Sequence, residues 1–188
     1  MKLGLMYNTG FLGTDPDQMI AVARHAEQCG FESFYVPEHI ALYPGASVGS
    51  VTFPADVPVA DPLECLAFVA AATQRILLGT GVLLLPYHQP AAARRAGLRG
   101  DGYFPGGGLT EAERAAQFDL MLQSARAAGR DPGALEYTRW GTIDMTADDV
   151  AAHAARGITR LVVGPVSTDL SEQQDQISAF AARLAPGP

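Results

Sequence analysis

Cysteine, basic residues and long apolar runs are all in short supply in this sequence, and each shortage excludes something. Cysteine occurs twice, at Cys29 and Cys65, with no CxxC pair and no His/Cys cluster at ligand spacing, so no metal site is expected. Both cysteines fall in helical apolar patterns and read as reduced, buried thiols. Lys and Arg number 13 against 20 Asp and Glu, and the net charge of −7 argues against nucleic acid or an anionic membrane surface as partner. No apolar run approaches bilayer length, and the opening MKLGLMYN is interrupted too soon for a signal peptide, so the expected location is the cytoplasm. There is no repeat of solenoid period, no GxGxxG after the first apolar run and no GxxxxGK[ST]. Dinucleotide-binding and P-loop folds therefore lose their main support.

What is present is alternation. Apolar strand-like runs at 2–7, 31–39, 76–85, 100–105, 134–145 and 159–165 are separated by helical patterns. Thr14 or Asp15 before Pro16, and Asp61-Pro62, look like helix starts, Thr110 and Glu113 have capping-box spacing, and Gly30 and Gly129 look like stops. About six strands with intervening helices imply a parallel sheet with helices outside it. An open doubly wound sheet and a (β/α) barrel both fit, but a complete eightfold barrel takes about 250 residues and this chain has 188.

In either architecture ligands meet the carboxyl ends of the strands. Those ends offer Asn8, the pair Glu38-His39, the Gly79-Thr80-Gly81 segment, His88, Tyr103 to Gly108, Asp144 and Gly164-Pro165. His39 is the sharpest candidate: its imidazole titrates near neutrality, and residues 40–60 form a long Pro/Gly/Ser-rich loop that could cover a ligand. His25 and His153 lie in helical patterns and read as ordinary helix residues, while His88 is left open. Two glycines inside a buried strand mark either a bulge or close backbone approach to a ligand, or a strand that merely tolerates them. Trp140, inside a strand, reads as core.

MKLGLMYN, GFESFYVPEHI and DPLECLAFVAAATQRILLGTGVLLLP, taken together, resemble the luciferase-like monooxygenase superfamily, and within it the coenzyme F420-dependent oxidoreductases. AAARRAGLRGDGYFPGG and ITRLVVGP resemble pieces of that family's later strands. The resemblance implies an α/β fold, an incomplete TIM-type (β/α) barrel with about six parallel strands, as one shortened domain over residues 1–188. It implies a flavin- or deazaflavin-dependent oxidoreductase acting by hydride transfer or monooxygenation on a small organic substrate. Coenzyme F420 is the expected cofactor and FMN the alternative. By the same resemblance His39 is catalytic with Glu38 beside it, and Asn8, His39, Thr80, Gly81 and Val82 contact the cofactor. A nonprolyl cis peptide would fall at Gly81-Val82.

One departure from the family pattern is large. About a hundred residues of it are missing between Pro90 and Ala91, against the size of a full barrel, which leaves a deletion seam near 86–92. The lead into the AAARRAG helix, a phosphate contact in relatives, is replaced by Tyr87-His88-Gln89-Pro90. Open sheet edges at such a seam would favour a homodimer. A non-catalytic flavin-binding or scaffold protein, or an inactive deletion remnant, stands as the alternative to an enzyme.

Overall fold

The computed structural model describes residues 1–38, 45–48, 51–54, 56–82, 89–105 and 109–185. His39, His88 and Gly106 to Gly108 lie outside the described residues. The elements follow the expected alternation: β1 (Lys2–Met6), α1 (Thr9–Leu12), α2 (Pro16–Gln28), β2 (Ser33–Pro37), β3 (Ser47–Val48), β4 (Val51–Thr52), α3 (Pro62–Ala72) and β5 (Leu77–Val82). Then come α4 (Gln89–Arg99), β6 (Gly102–Tyr103), α5 (Glu111–Ala127), a 3-10 turn (Pro132–Ala134), β7 (Glu136–Trp140), α6 (Ala147–Ala155), β8 (Arg160–Val163) and α7 (Leu170–Leu184). The short α1 and the β3–β4 hairpin inside the long loop were not legible as periodic segments.

The chain divides into two compact units, one holding residues 85–140 and 148–161, the other residues 2–84, 141–147 and 162–188. Strand β8 contributes Arg160 and Leu161 to the first and Val162 and Val163 to the second. In the larger unit the strand order is β5-β2-β1-β8, and in the smaller one β8-β7-β6. The fold class is α/β, an incomplete (β/α) barrel of six parallel strands, as expected.

The larger unit is built on the parallel register Gly4↔Ser33, Leu5↔Phe34 and Met6↔Tyr35, continued by Ser33↔Leu77 and Tyr35↔Gly79. Alternation sends Leu5, Tyr7, Phe34 and Val36 to one face, where all four are fully buried. Tyr7 and Phe34 rings meet there at 6.0 Å. The helices start where chemistry provides caps: Asp15 accepts the N–H of Asp17, and Asp61 accepts those of Leu63 and Glu64. Gly30, at φ 84, then lets the chain leave α2 in a conformation that other residues rarely adopt. Glu27 joins α2 to the entry of β5, its carboxylate accepting the N–H groups of Gln74, Arg75 and Ile76.

The smaller unit packs α4 against α5 around Met121, Ala125 and Leu135, with Phe118 and Tyr137 stacked at 4.3 Å. Gly97 makes that helix contact possible, since a Cβ there would lie 2.1 Å from the Met121 carbonyl oxygen. The capping box foreseen at Thr110 and Glu113 is formed in both directions. Trp140 differs from its expected place in the core: it ends β7, 38% exposed, against Phe104 at 4.7 Å.

Two outcomes follow. Gly97→Ala is expected to lower the stability of the chain by about 1–3 kcal/mol in urea titration, because a backbone atom rather than a mobile side chain is in the way. Acidification should also destabilise. The Arg75 N–H, with those of Ile76 and Gln74, holds Glu27 below the ordinary carboxylate range. Arg139 does the same for Glu111, and the Thr110 N–H for Glu113. A carboxyl lowered in the folded state stabilises above its unfolded pKa and loses that contribution as pH falls through the folded value. Urea midpoints should therefore hold from pH 7 to about 4.5 and drop below it, and Glu27→Gln should shrink the drop.

Candidate functional site

The larger unit holds the strand ends that sequence reasoning singled out, and they rest on a surface of unusual construction. On the face opposite Phe34, the Tyr35 ring lies between two glycines on the neighbouring strands. A Cβ on Gly4 would come within 2.9 Å of the ring, and one on Gly79 within 2.8 Å. Met6 extends along the same face until a Cβ on Gly81 would stand 2.2 Å from its terminal methyl. The glycines of the strand-three segment thus make room for two side chains of this chain, and the product is a flat apolar floor of aromatic ring and thioether.

At the carboxyl end of that floor the ladder breaks register. Val36 pairs with Thr80 but Pro37 with Val82, so Gly81 is the extra residue of a β-bulge. The bulge is as expected. No cis peptide occurs among the described residues, so the cis bond expected at Gly81-Val82 is not found. Thr80 pairs with Val36 and shares its helix-side face, whereas Gly79 and Gly81 face the floor. Glu38 follows β2 directly and is half-buried; His39, next in the chain, lies outside the described residues.

Asn8 sits at the end of β1 as the N-cap of α1, its side-chain oxygen accepting the Gly10 N–H at 3.1 Å. Its amide nitrogen, rather than that oxygen, is the group left for a ligand. Beside it Thr9, buried, accepts the Ala60 N–H at 3.3 Å, and Val59 lies over Gly10, so the end of the long loop is anchored next to the β1 terminus. Tyr7 donates its hydroxyl to the Leu12 carbonyl, and burial, with Asp15 and Cys65 nearby, pushes its phenol up to about 12.

Sequence reasoning listed Asp144 and Gly164-Pro165 as strand ends without giving them a role. The structure places Asp144 and Gly164 in the wall of an open pocket of about 350 Å³ lined by Gly141, Thr142, Ile143, Asp144, Gly164 and Val166. β7 ends at Trp140, earlier than the apolar pattern through Met145 suggests, and this frees Thr142 and Asp144 from the ladder. The Gly141 N–H donates to the Val162 carbonyl, which ties this loop to β8. Gly164 is close to β1 as well, where a Cβ would meet the Met6 carbonyl oxygen at 2.9 Å. Glycine spacing was the available signal for the pocket, but nothing in it pointed to an apolar cavity.

The remaining candidates are structural. His25 Nε2 is 2.7 Å from the Ser178 hydroxyl and 3.0 Å from the Gln174 carbonyl, pinning α2 to α7. His153 bonds the Asp149 carbonyl within its own helix. Both cysteines are free; Cys29 is half-buried and Cys65 buried, where desolvation, with Asp61 and Glu64 nearby, raises its thiol pKa. Among the described residues no three His, Cys, Asp or Glu side chains gather as metal ligands, and no helix is long and apolar enough to cross a membrane.

Comparison with known proteins agrees with this geometry. Residues 1–93 match the family model described as luciferase-like monooxygenase. An uncharacterized protein of Mycobacterium tuberculosis is 37% identical over 99 residues, which cover 48% of this chain and 33% of that protein. Limonene 1,2-monooxygenase of Rhodococcus erythropolis is 37% identical over 73 residues, 39% of this chain and 16% of that enzyme. This chain thus spans at most about a third of the curated relatives it matches. Among solved structures, an F420-dependent secondary alcohol dehydrogenase in complex with an F420-acetone adduct superposes with a TM-score of 0.58 at 11% identity, covering 98% of this chain and 99% of that one. At that identity the likeness concerns the fold.

The Tyr35 floor and the Tyr7 phenol each yield a test. Gly79→Ala should cost about 1–3 kcal/mol, because the new Cβ would fall within 2.8 Å of the Tyr35 ring, as measured by thermal or urea unfolding. A raised phenol stabilises the fold at pH values below its unfolded pKa, and that contribution is lost as pH climbs through the folded value. Alkaline unfolding should therefore set in between pH 10 and about 12, and Tyr7→Phe should remove part of this dependence in a circular-dichroism titration.

Proposed function

We infer the activity of this chain from its family: residues 1–93 belong to the luciferase-like monooxygenases. On this reading the chain is a flavin- or deazaflavin-dependent oxidoreductase of a small organic substrate, with coenzyme F420 preferred and FMN the alternative. The observation that carries it is the floor of Tyr35 and Met6 ending in the Gly81 bulge, a flat apolar surface at the carboxyl ends of parallel strands. A planar ring system would rest on such a floor, with the Met6 thioether, which fills the space over Gly81, as part of the surface it meets. When bound, the group supplies a ring that accepts or gives a hydride.

The chain's own residues do the remainder. The bulge at Gly81 and the Met6 side chain over it would form one edge of the ring's seat, and the Asn8 amide nitrogen would offer a donor at the end of β1. Thr80 contributes through its backbone, its side chain being on the helix face. To His39, which follows Glu38 in the chain, falls the exchange of a proton with the substrate. The apolar floor excludes water beneath the ring.

A second reading has its own observation. Among the described residues β5 pairs with β2 alone, and Leu77 on it and Leu63 and Phe68 on α3 are 55%, 63% and 57% exposed. An open edge beside exposed apolar side chains favours a protein that keeps the scaffold without the catalysis, or that self-associates as a homodimer.

Titration with F420 and with FMN, followed by absorbance and fluorescence, tests both. The first reading expects one of them to bind well below about 1 mM, and His39→Ala to lower turnover about a hundredfold or more while cofactor affinity holds. Cofactor binding with no turnover on alcohols, aldehydes or alkenes would leave the second reading, and light scattering would report the dimer. Binding of neither cofactor sinks the proposed activity.

A further inference from the structure

The pocket at the ends of β7 and β8 has a definite polarity. Resting on the oxidoreductase reading above, we propose that it receives the substrate, and that it selects a compact apolar molecule bearing a hydrogen-bond donor, an alcohol or an amine, and rejects carboxylates and phosphates.

Complete (β/α) barrels frequently hold a phosphate in the loops after their last two strands, at the start of the following helix. Here the chain's own side chains occupy part of that region's backbone donors. The Val166 N–H donates to the Gln176 side-chain oxygen at 2.9 Å, the Asp169 N–H to the Ser167 hydroxyl at 3.1 Å, and the Glu172 N–H to the Asp169 carboxylate at 3.0 Å. Three backbone donors that could have helped to grip an anion therefore already have side-chain acceptors.

Cations are committed too. The larger unit contains four, Lys2, Arg24, Arg75 and Arg183. Lys2 pairs with Glu32, Arg24 donates to the Ala72 carbonyl, and Arg75 to the Glu27 carbonyl. Arg183 is nearest to the pocket wall, but its guanidinium donates to the carbonyls of Ile143 and Met145 and lies 5.6 Å from the Phe180 ring. It braces the Ile143 loop from behind.

The walls that remain are acceptors and hydrocarbon. Ile143 and Val166 provide apolar surface, and the two glycines keep the mouth wide. The Thr142 hydroxyl donates to an Asp144 carboxylate oxygen, so its own proton is engaged. The second carboxylate oxygen of Asp144 and the lone pairs of Thr142 can only accept. A ligand must therefore bring the proton, and a ligand anion would face Asp144 with no compensating charge.

The test uses four probes on one skeleton, cyclohexanol, cyclohexylamine, cyclohexanecarboxylate and cyclohexyl phosphate, added to the full chain without cofactor. Amide resonances of Thr142, Asp144, Gly164 and Val166 are followed by NMR. The alcohol and the amine should shift them saturably, and the two anions should not. Asp144→Asn should weaken the amine about fivefold, leaving the alcohol nearly unchanged, and Val166→Arg should let the carboxylate bind about fivefold more tightly than in the parent. Binding of either anion to these amides as tightly as the alcohol, or no response to any probe, overturns the proposal. Cofactor is absent from this experiment, so failure to bind F420 or FMN removes the proposed activity without touching the result. Loss of selectivity would in turn leave the cofactor reading standing.

Discussion

The flat placement of one aromatic ring organises this protein. Tyr35 can lie across β1 and β5 only because Gly4 and Gly79 carry no Cβ where its edges fall. The Tyr35 ring occupies the space that side chains at Gly4 and Gly79 would take, and Met6 fills the next layer up to Gly81. With Phe34 and Val36 buried on the other side of β2, that strand is sandwiched between an aliphatic helix layer and an aromatic floor. Any residue with a side chain at either glycine would tilt the ring, and the bulge at Gly81 would then stand over an uneven surface.

The chemistry available above that floor differs from one end of the unit to the other. Near β1, β2 and β5 the polar groups among the described residues include the Asn8 amide, Glu38, the Tyr35 hydroxyl and the bulge backbone. Near the ends of β7 and β8 the loops are self-satisfied, with Gln176, Ser167 and Asp169 capping the donors and Asp144 presenting an acceptor. A negative chain overall needs no special feature to repel anions, but here the local groups act in the same direction as the net charge.

Much of this was legible in advance, and the reasons are local. Asp15, Asp61 and Thr110 announce helix starts because a short polar side chain beside exposed N–H groups has few other uses. Gly30 and Gly129 announce stops through their positive φ. The bulge was signalled by two glycines in an apolar strand. Trp140 was misplaced because strand periodicity says which face a residue takes, not where the strand stops. β7 stops at Trp140, whose ring packs on Phe104 and is otherwise partly exposed. The pocket escaped notice for a similar reason: Gly141 to Asp144 look like more strand until the Gly141 N–H is seen to bond Val162.

The sequence by itself determined the alternation of strands and helices, the caps, the fold class and the family likeness of the first half, because each depends on contacts among near neighbours or on a recurrent motif. Only the tertiary structure decided what the glycines are for. Gly79 and Gly81 serve Tyr35 and Met6, residues some 44 and 75 positions away in the chain. It also decided which way the β7–β8 pocket is polarised, since that follows from how Gln176 and Arg183 of one helix direct their hydrogen bonds into loops belonging to two other segments. Pairings across such distances are set by packing in three dimensions, and no periodicity in the chain encodes them.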